Sequence, residues 1–285
     1  MRWKGRRGST NIVDRRGRGS VTRGAGGLGF GGLLLVLAIG WFFGIDVTPL
    51  LQGGGGASVQ TEQRRELTQA EIEQGQFVSV VLADTEEIWA EIFARQVDGP
   101  YDPAELVLYS GVTASPCGNA SGATGPFYCP ADERVYLDTE FFTTLEQQMG
   151  AGGDFAAAYV VAHEVAHHVQ NELGILGEAN RIRRQVSQEE SNAISVRIEL
   201  QADCYSGMWA RRAQERFGTL ERGDLEEAIN AAKQIGDDYL QRRAGRVPAP
   251  HTFTHGTSEQ RARWFARGYE QGDIRACDTF GAERL

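Results

Sequence analysis

Five consecutive residues, His163-Glu164-Val165-Ala166-His167, indicate which chemistry to look for first. Side chains four apart on a helix share a face, so both imidazoles can reach one tetrahedral metal ion. Glu164 lies beside that face, where a carboxylate can take a proton from a water that the ion has activated. The turns before the motif, residues 157–162, are apolar, so this helix is expected to be buried and its histidines to need partners. A hydrolytic zinc site also needs a third protein ligand and an open fourth position. No histidine follows at the H-E-x-x-H-x-x-G-x-x-H spacing, because position 173 is Leu. Glu199-Leu-Gln-Ala-Asp203 offers instead two carboxylates on one helical face. Glu199 can be the third ligand, and Asp203 can accept the outer N–H of a ligating histidine and set its tautomer. The competing reading is a solvated acidic face. Further on, His255 and Arg261 are candidate donors to a tetrahedral oxyanion, with Arg261 alternatively orienting Asp203 through a charge-assisted pair. His168 stands one step off the metal-facing side and is expected to be structural, and His251 has no assigned role.

The elements that must carry these residues are mostly helical. Apolar positions 77, 78, 81, 82, 88, 89, 92, 93 and 97 form the stripe of an amphipathic helix over 77–97. Residues 106–109 and 135–138 are short β-type runs bounded by turn formers. Helices are expected over 141–149 and over 155–173, the second capped by Asp154 and stopped by Gly174. Ser187 and Glu190 form a capping-box pattern that opens a long helix ending near Phe217 at Gly218. One helix is expected over 224–242 and a last one over 258–269, with Pro248 and Pro250 marking a loop between them.

Charge is unevenly distributed along the 285 residues. The net charge is −9, yet residues 1–30 hold eight basic side chains and one acid, which leaves −16 on the rest. An acidic body argues against nucleic acid as a partner. Between the two parts, residues 28–45 carry no charge, close to the roughly 20 apolar residues that span a bilayer as helix. The pattern predicts a basic disordered cytoplasmic tail over 1–27, a transmembrane anchor over 28–47, a Gly-rich tether over 48–60 and a folded domain over 61–285, with the N-terminus inside. A cleaved secretory signal is the rival reading.

HEVAHHVQ at 163–170, ELQADC at 199–204, GPFYCPAD at 125–132 and HGTSEQRARWF at 255–265 together resemble the bacterial neutral zinc metallopeptidase family. The ExxxD element, and a histidine followed six residues later by arginine, are also similar to gluzincins that include the CAAX-processing membrane proteases. The resemblance implies a zincin-like metalloprotease domain in a helix-dominated α+β fold with a small antiparallel or mixed sheet, preceded by one transmembrane helix in the bacterial inner membrane. It carries His163, His167 and Glu199 over as Zn2+ ligands, Glu164 as general base, Asp203 as the carboxylate behind a ligand, and His255 and Arg261 as transition-state helpers. Gly256 departs from the proline usual after that histidine.

The function expected is hydrolysis of peptide or protein substrates, the strand at 135–138 being the edge on which a substrate pairs. A catalytically silent membrane-tethered zinc protein and a cell-wall amidase are the alternatives. Four cysteines allow three connectivities. In the oxidising compartment expected for the domain, the pairs are Cys117–Cys129 and Cys204–Cys277, with free thiols or a second metal site as alternatives.

Overall fold

A computed structural model of the protein describes residues 1–17, 65–97, 99–121 and 124–285. The first long helix, α1 (Gln69–Gln96), begins at a capping box in which Thr68 and Glu71 satisfy each other's backbone N–H groups, eight residues before its apolar stripe starts. A mixed four-stranded sheet follows, in the order β1 (Ile12–Asp14), β2 (Glu105–Tyr109), β6 (Arg134–Asp138), β5 (Phe127–Cys129). The first three run parallel, and β5 closes one edge antiparallel to β6. A hairpin of β3 (Val112–Ser115) and β4 (Gly118–Ser121) stands apart from this sheet.

The helical half comprises α2 (Glu140–Gln147), α3 (Asp154–Glu172), α4 (Ile175–Arg183), α5 (Gln188–Phe217), α6 (Asp224–Gln234), α7 (Asp237–Arg243) and α8 (Ser258–Gln271). Helix α3 is buried along nearly its whole length, from Phe155 to Gln170, which is what its alanine and valine run requires. Helix α5 starts at the Ser187/Glu190 capping box and ends at Gly218, whose φ of 62° is left-handed. Helices α5 and α8 approach so closely that a Cβ on Gly207 would overlap the Phe265 carbonyl, and one on Gly268 the Cys204 carbonyl. Only glycine permits that crossing. Cys204–Cys277 and Cys117–Cys129 are disulfides, as expected, and no cysteine is free.

Three expectations are corrected. The spanning helix expected over 28–47, and the tether over 48–60, lie outside the described residues. Among the described residues no helix is long and apolar enough to cross a membrane. Among the described residues the fold is a helix-dominated α+β body, and the preceding transmembrane helix is not shown.

Nor are residues 1–17 a separate disordered tail. Strand β1 extends the sheet, Trp3 packs edge-on against Phe77, and Arg6 forms two bonds of 2.5 and 2.7 Å to the buried Asp84 carboxylate. The Arg6 guanidinium also lies 4.2 Å from the Phe217 ring centroid. Gly17 O accepts from Arg65 N at 3.0 Å, so the chain leaves and re-enters the body at one point. These contacts join residues 1–17 to the described body. Arg6 and Arg7 have carboxylate partners on α1, Asp84 and Glu87, which a count of charge along the chain does not reveal.

Finally, the single helix expected over 224–242 is two. The chain breaks at Gly236, where a Cβ would collide with the backbone of Ser258.

Burial pushes the Asp84 carboxyl up to about 6, against the pull of Arg6. A carboxyl raised above its unfolded value favours the fold most when protonated, so losing Arg6 costs most at alkaline pH. Arg6→Met is expected to destabilise the protein by about 2–3 kcal/mol near pH 8 and by clearly less near pH 5. Urea unfolding at the two pH values checks this. Equal stability of variant and wild type at pH 8 would remove residues 1–17 from the fold.

Candidate metal centre and active site

Helices α3 and α5 cross so that His163, His167 and Glu199 each offer a ligand atom within 4.8 Å of the others. His163 Nε2 lies 3.1 Å from Glu199 Oε2, and His167 Nε2 lies 3.5 Å from Glu199 Oε1. Ligand atoms about 2.1 Å from a tetrahedral ion are separated by roughly 3.4 Å, so the three donors fit such an ion. Two imidazoles and one carboxylate also suit zinc chemically.

Each imidazole is held from behind. His163 Nδ1 stands 3.0 Å from Asp203 Oδ1, close but too oblique for a well-formed hydrogen bond. His167 Nδ1 lies 2.9 Å from Gln170 Oε1, and Gln170 Nε2 donates to Gln201 Oε1 at 3.0 Å and to Ile198 O at 2.8 Å. Gln201 Nε2 in turn donates to Cys277 O. His167 thereby presents Nε2 to the shared point with its outer nitrogen hydrogen-bonded, and His163 does so with the Asp203 carboxylate 3.0 Å behind it. Gln170 had no signal in the sequence beyond its place one turn after His167.

Asp203 is fully buried and ionised among strong partners. Arg261 donates to it through Nε at 2.9 Å and Nη2 at 3.0 Å, and Tyr159 donates at 2.5 Å. Burial opposes its charge, but Arg261 and His163 hold its carboxyl below the usual range. Of the two roles expected for Arg261, the geometry has the charge-assisted pair: the guanidinium is 1% exposed and faces Asp203, with Glu199 Oε2 at 3.9 Å. Glu199 is also held well below the ordinary carboxylate range, where the two histidines outweigh burial. His163, with no ion beside it, is raised to about 9, since Asp203 and Glu199 overcome the burial that disfavours its protonation.

These residues form the floor of a cavity of about 1050 Å3, with Tyr128, Phe127 and Phe141 on one side and His255 and Leu240 on another. Glu164 lines it with no hydrogen bond from any described residue, and burial raises its carboxyl above the usual value. His255 lines it with 48% of its side chain exposed. Its Nδ1 is 3.2 Å from Asp237 Oδ1, while Asp237 Oδ2 accepts from the backbone N–H of Thr254, His255 and Gly256. Burial works against the His255 proton, but Asp237 and Glu199 raise its pKa. The break at Gly236 is what turns Asp237 toward this loop, so a reading with one continuous helix missed it.

His168 does not face the cavity floor. It links Asp102 O, at 2.7 Å, to the Tyr128 hydroxyl, at 3.2 Å, tying α3 to strand β5. The edge nearest the site is β5, not the strand at 135–138. That strand is paired on both sides and cannot accept a substrate.

The sequence matches, over residues 1–280, the family described as "Putative neutral zinc metallopeptidase". It is 46% identical over 290 residues to "Uncharacterized protein YpfJ" of Escherichia coli strain K12, covering 99% of each chain. It is 45% identical over 195 residues to "Uncharacterized protein Rv2575" of Mycobacterium tuberculosis strain H37Rv, covering 65% of each. No solved structure matches it.

The donor geometry predicts one zinc per chain, measured by elemental analysis after dialysis. Glu199→Gln is expected to lose it, and Gln170→Leu to weaken binding by about ten- to a hundredfold with the fold retained by circular dichroism. Full zinc affinity in Gln170→Leu would show that this side chain does not orient His167.

Proposed function

The chain belongs to the neutral zinc metallopeptidase family, and from that membership and the geometry of the cavity floor we propose that it hydrolyses peptide bonds with zinc held by His163, His167 and Glu199. The observation that carries this reading is Glu164: a buried carboxylate beside three converged donors, unpartnered and open to the cavity. Zinc, when bound there, polarises a carbonyl and lowers the pKa of water toward about 7.

The protein's own part is positioning and proton movement. Glu164, its affinity for protons raised by burial, takes a proton from the attacking water and delivers it to the departing amine. Asp203 and Gln170 keep the two imidazoles with Nε2 forward. Arg261 neutralises Asp203, so that this carboxylate does not compete for the proton. His255, engaged through Nδ1 by Asp237, has Nε2 left for the oxygen that gains charge as the carbonyl becomes tetrahedral. The raised pKa favours its protonated form, which donates from both nitrogens. Strand β5 is the edge along which an extended peptide would pair, with Phe127 and Tyr128 at the cavity wall.

Glu164→Gln is expected to retain zinc and to lose essentially all turnover of a denatured protein substrate. A variant that still cleaves sinks the mechanism. His255→Ala is expected to lower kcat by roughly a hundredfold or more. Asp237→Asn removes the carboxylate that raises the His255 pKa, so the alkaline limb of its kcat/KM profile should move to lower pH. An unmoved limb would separate Asp237 from the chemistry.

A further inference from the structure

Beyond the metal-centred chemistry, the walls of the cavity carry arginines that no carboxylate among the described residues matches. Several surface arginines pair with carboxylates: Arg7 with Glu87, Arg95 with Glu91, Arg216 with Glu87 and Glu91. The same holds immediately beside the cavity, where Arg181 pairs with Glu178 and Arg242 with Asp238. Arg183 and Arg243, which line the cavity, have no carboxylate partner among the described residues. Arg183, the last residue of α4, reaches only the neutral oxygens of Ser191 and Asn180, each at 3.2 Å. Arg243, the last residue of α7, is exposed and has no partner among the described residues. Both line the cavity, as does Arg246, and among the described residues the only acids lining it are Glu164 and Glu199 at the floor.

The two arginines come from walls that meet at the start of α5. Arg183 bonds Ser191 Oγ there, and Asn192 Nδ2 holds His251 O of the loop that follows α7. In a chain of net charge −9, unmatched guanidinium groups at the walls of a cleft are a positive feature that a substrate carboxylate can satisfy with paired, charge-assisted hydrogen bonds.

We propose that Arg183 and Arg243, flanked by Arg246, form a carboxylate-recognising wall, so that the substrates are peptides carrying a carboxylate within a few residues of the scissile bond. This rests on the peptidase reading and narrows it to a substrate class. An Asp or Glu side chain and a free C-terminus present the same chemistry to the wall.

The test uses the full zinc-loaded chain and matched peptides bearing Glu, Gln or Lys at each position flanking one cleavable bond, each with a free or an amidated C-terminus. Two quantities are read: kcat/KM for the wild type, and equilibrium binding by fluorescence anisotropy to the Glu164→Gln chain. Carboxylate peptides should exceed their Gln counterparts by about tenfold. That ratio should shrink with added salt, and should fall toward one in an Arg183→Gln, Arg243→Gln double variant. A double variant that has lost its fold cleaves neither peptide and is recognised by circular dichroism, so the ratio is read in a folded variant. Selectivity abolished by amidation identifies the C-terminal carboxylate, and selectivity that follows the Glu position identifies the side chain. Cleavage with equal rates for Glu and Gln peptides and also for free and amidated C-termini, or a ratio that survives the folded double variant, overturns the proposal. Preferential binding of carboxylate peptides without any cleavage by the wild type overturns the peptidase reading instead. Binding indifferent to the carboxylate overturns the recognition wall.

Discussion

A fully buried, ionised carboxylate at a helix crossing is costly unless it is matched, and Asp203 is the group around which the helical half is arranged. Its two oxygens are taken by Arg261 from α8 and by Tyr159 and His163 from α3, so three helices must meet at one point. The meeting needs the glycine contact between α5 and α8 at Gly207 and Gly268. It is clamped on the far side by the Cys204–Cys277 disulfide, one residue from Asp203. The requirement of one buried charge thus sets the register of α3 against α5, and that register brings His163 and His167 to Glu199.

The two clusters of potential ligands in the described structure show why donor count alone does not make a metal site. Asp154, Asp224 and Glu227 converge as closely as His163, His167 and Glu199. There the positive charge is supplied by the Met1 ammonium, 2.5 Å from Asp154 Oδ1. At the cavity floor Arg261 is committed to Asp203, and Glu164 and Glu199 remain without a cation of their own. Imidazoles with their outer nitrogens engaged, beside carboxylates with no ammonium or guanidinium dedicated to them, distinguish the second site from the first.

Much of the site could be read locally. The HExxH spacing on a helix, the capping box of α5 and the four-residue step from Glu199 to Asp203 are periodic signals, and periodicity survives into the fold because each helix is stiff. What escaped was long-range. Asp237 became visible only because Gly236 yields to the backbone of Ser258, a contact with no trace in the hydropathy of 224–242. Strand 135–138 has the composition of any buried strand, and its pairing on both sides depends on β2 and β5. Residues 1–17 look like a polar tail because their partners, Asp84 above all, are distant in the chain.

The sequence by itself determined the chemistry on offer: two imidazoles and a glutamate at helical spacing, a second helix with two carboxylates on one face, and cysteines able to pair. Local spacing is enough for that, since a helix converts sequence separation into direction. Tertiary structure alone decided which groups face one another across helices. It put Gln170 behind His167, Asp237 behind His255, Arg261 on Asp203 and two unmatched arginines on the cavity wall. Those pairings depend on the close packing of buried surfaces and the neutralisation of buried charge, which act between residues far apart in the chain and leave no period to read.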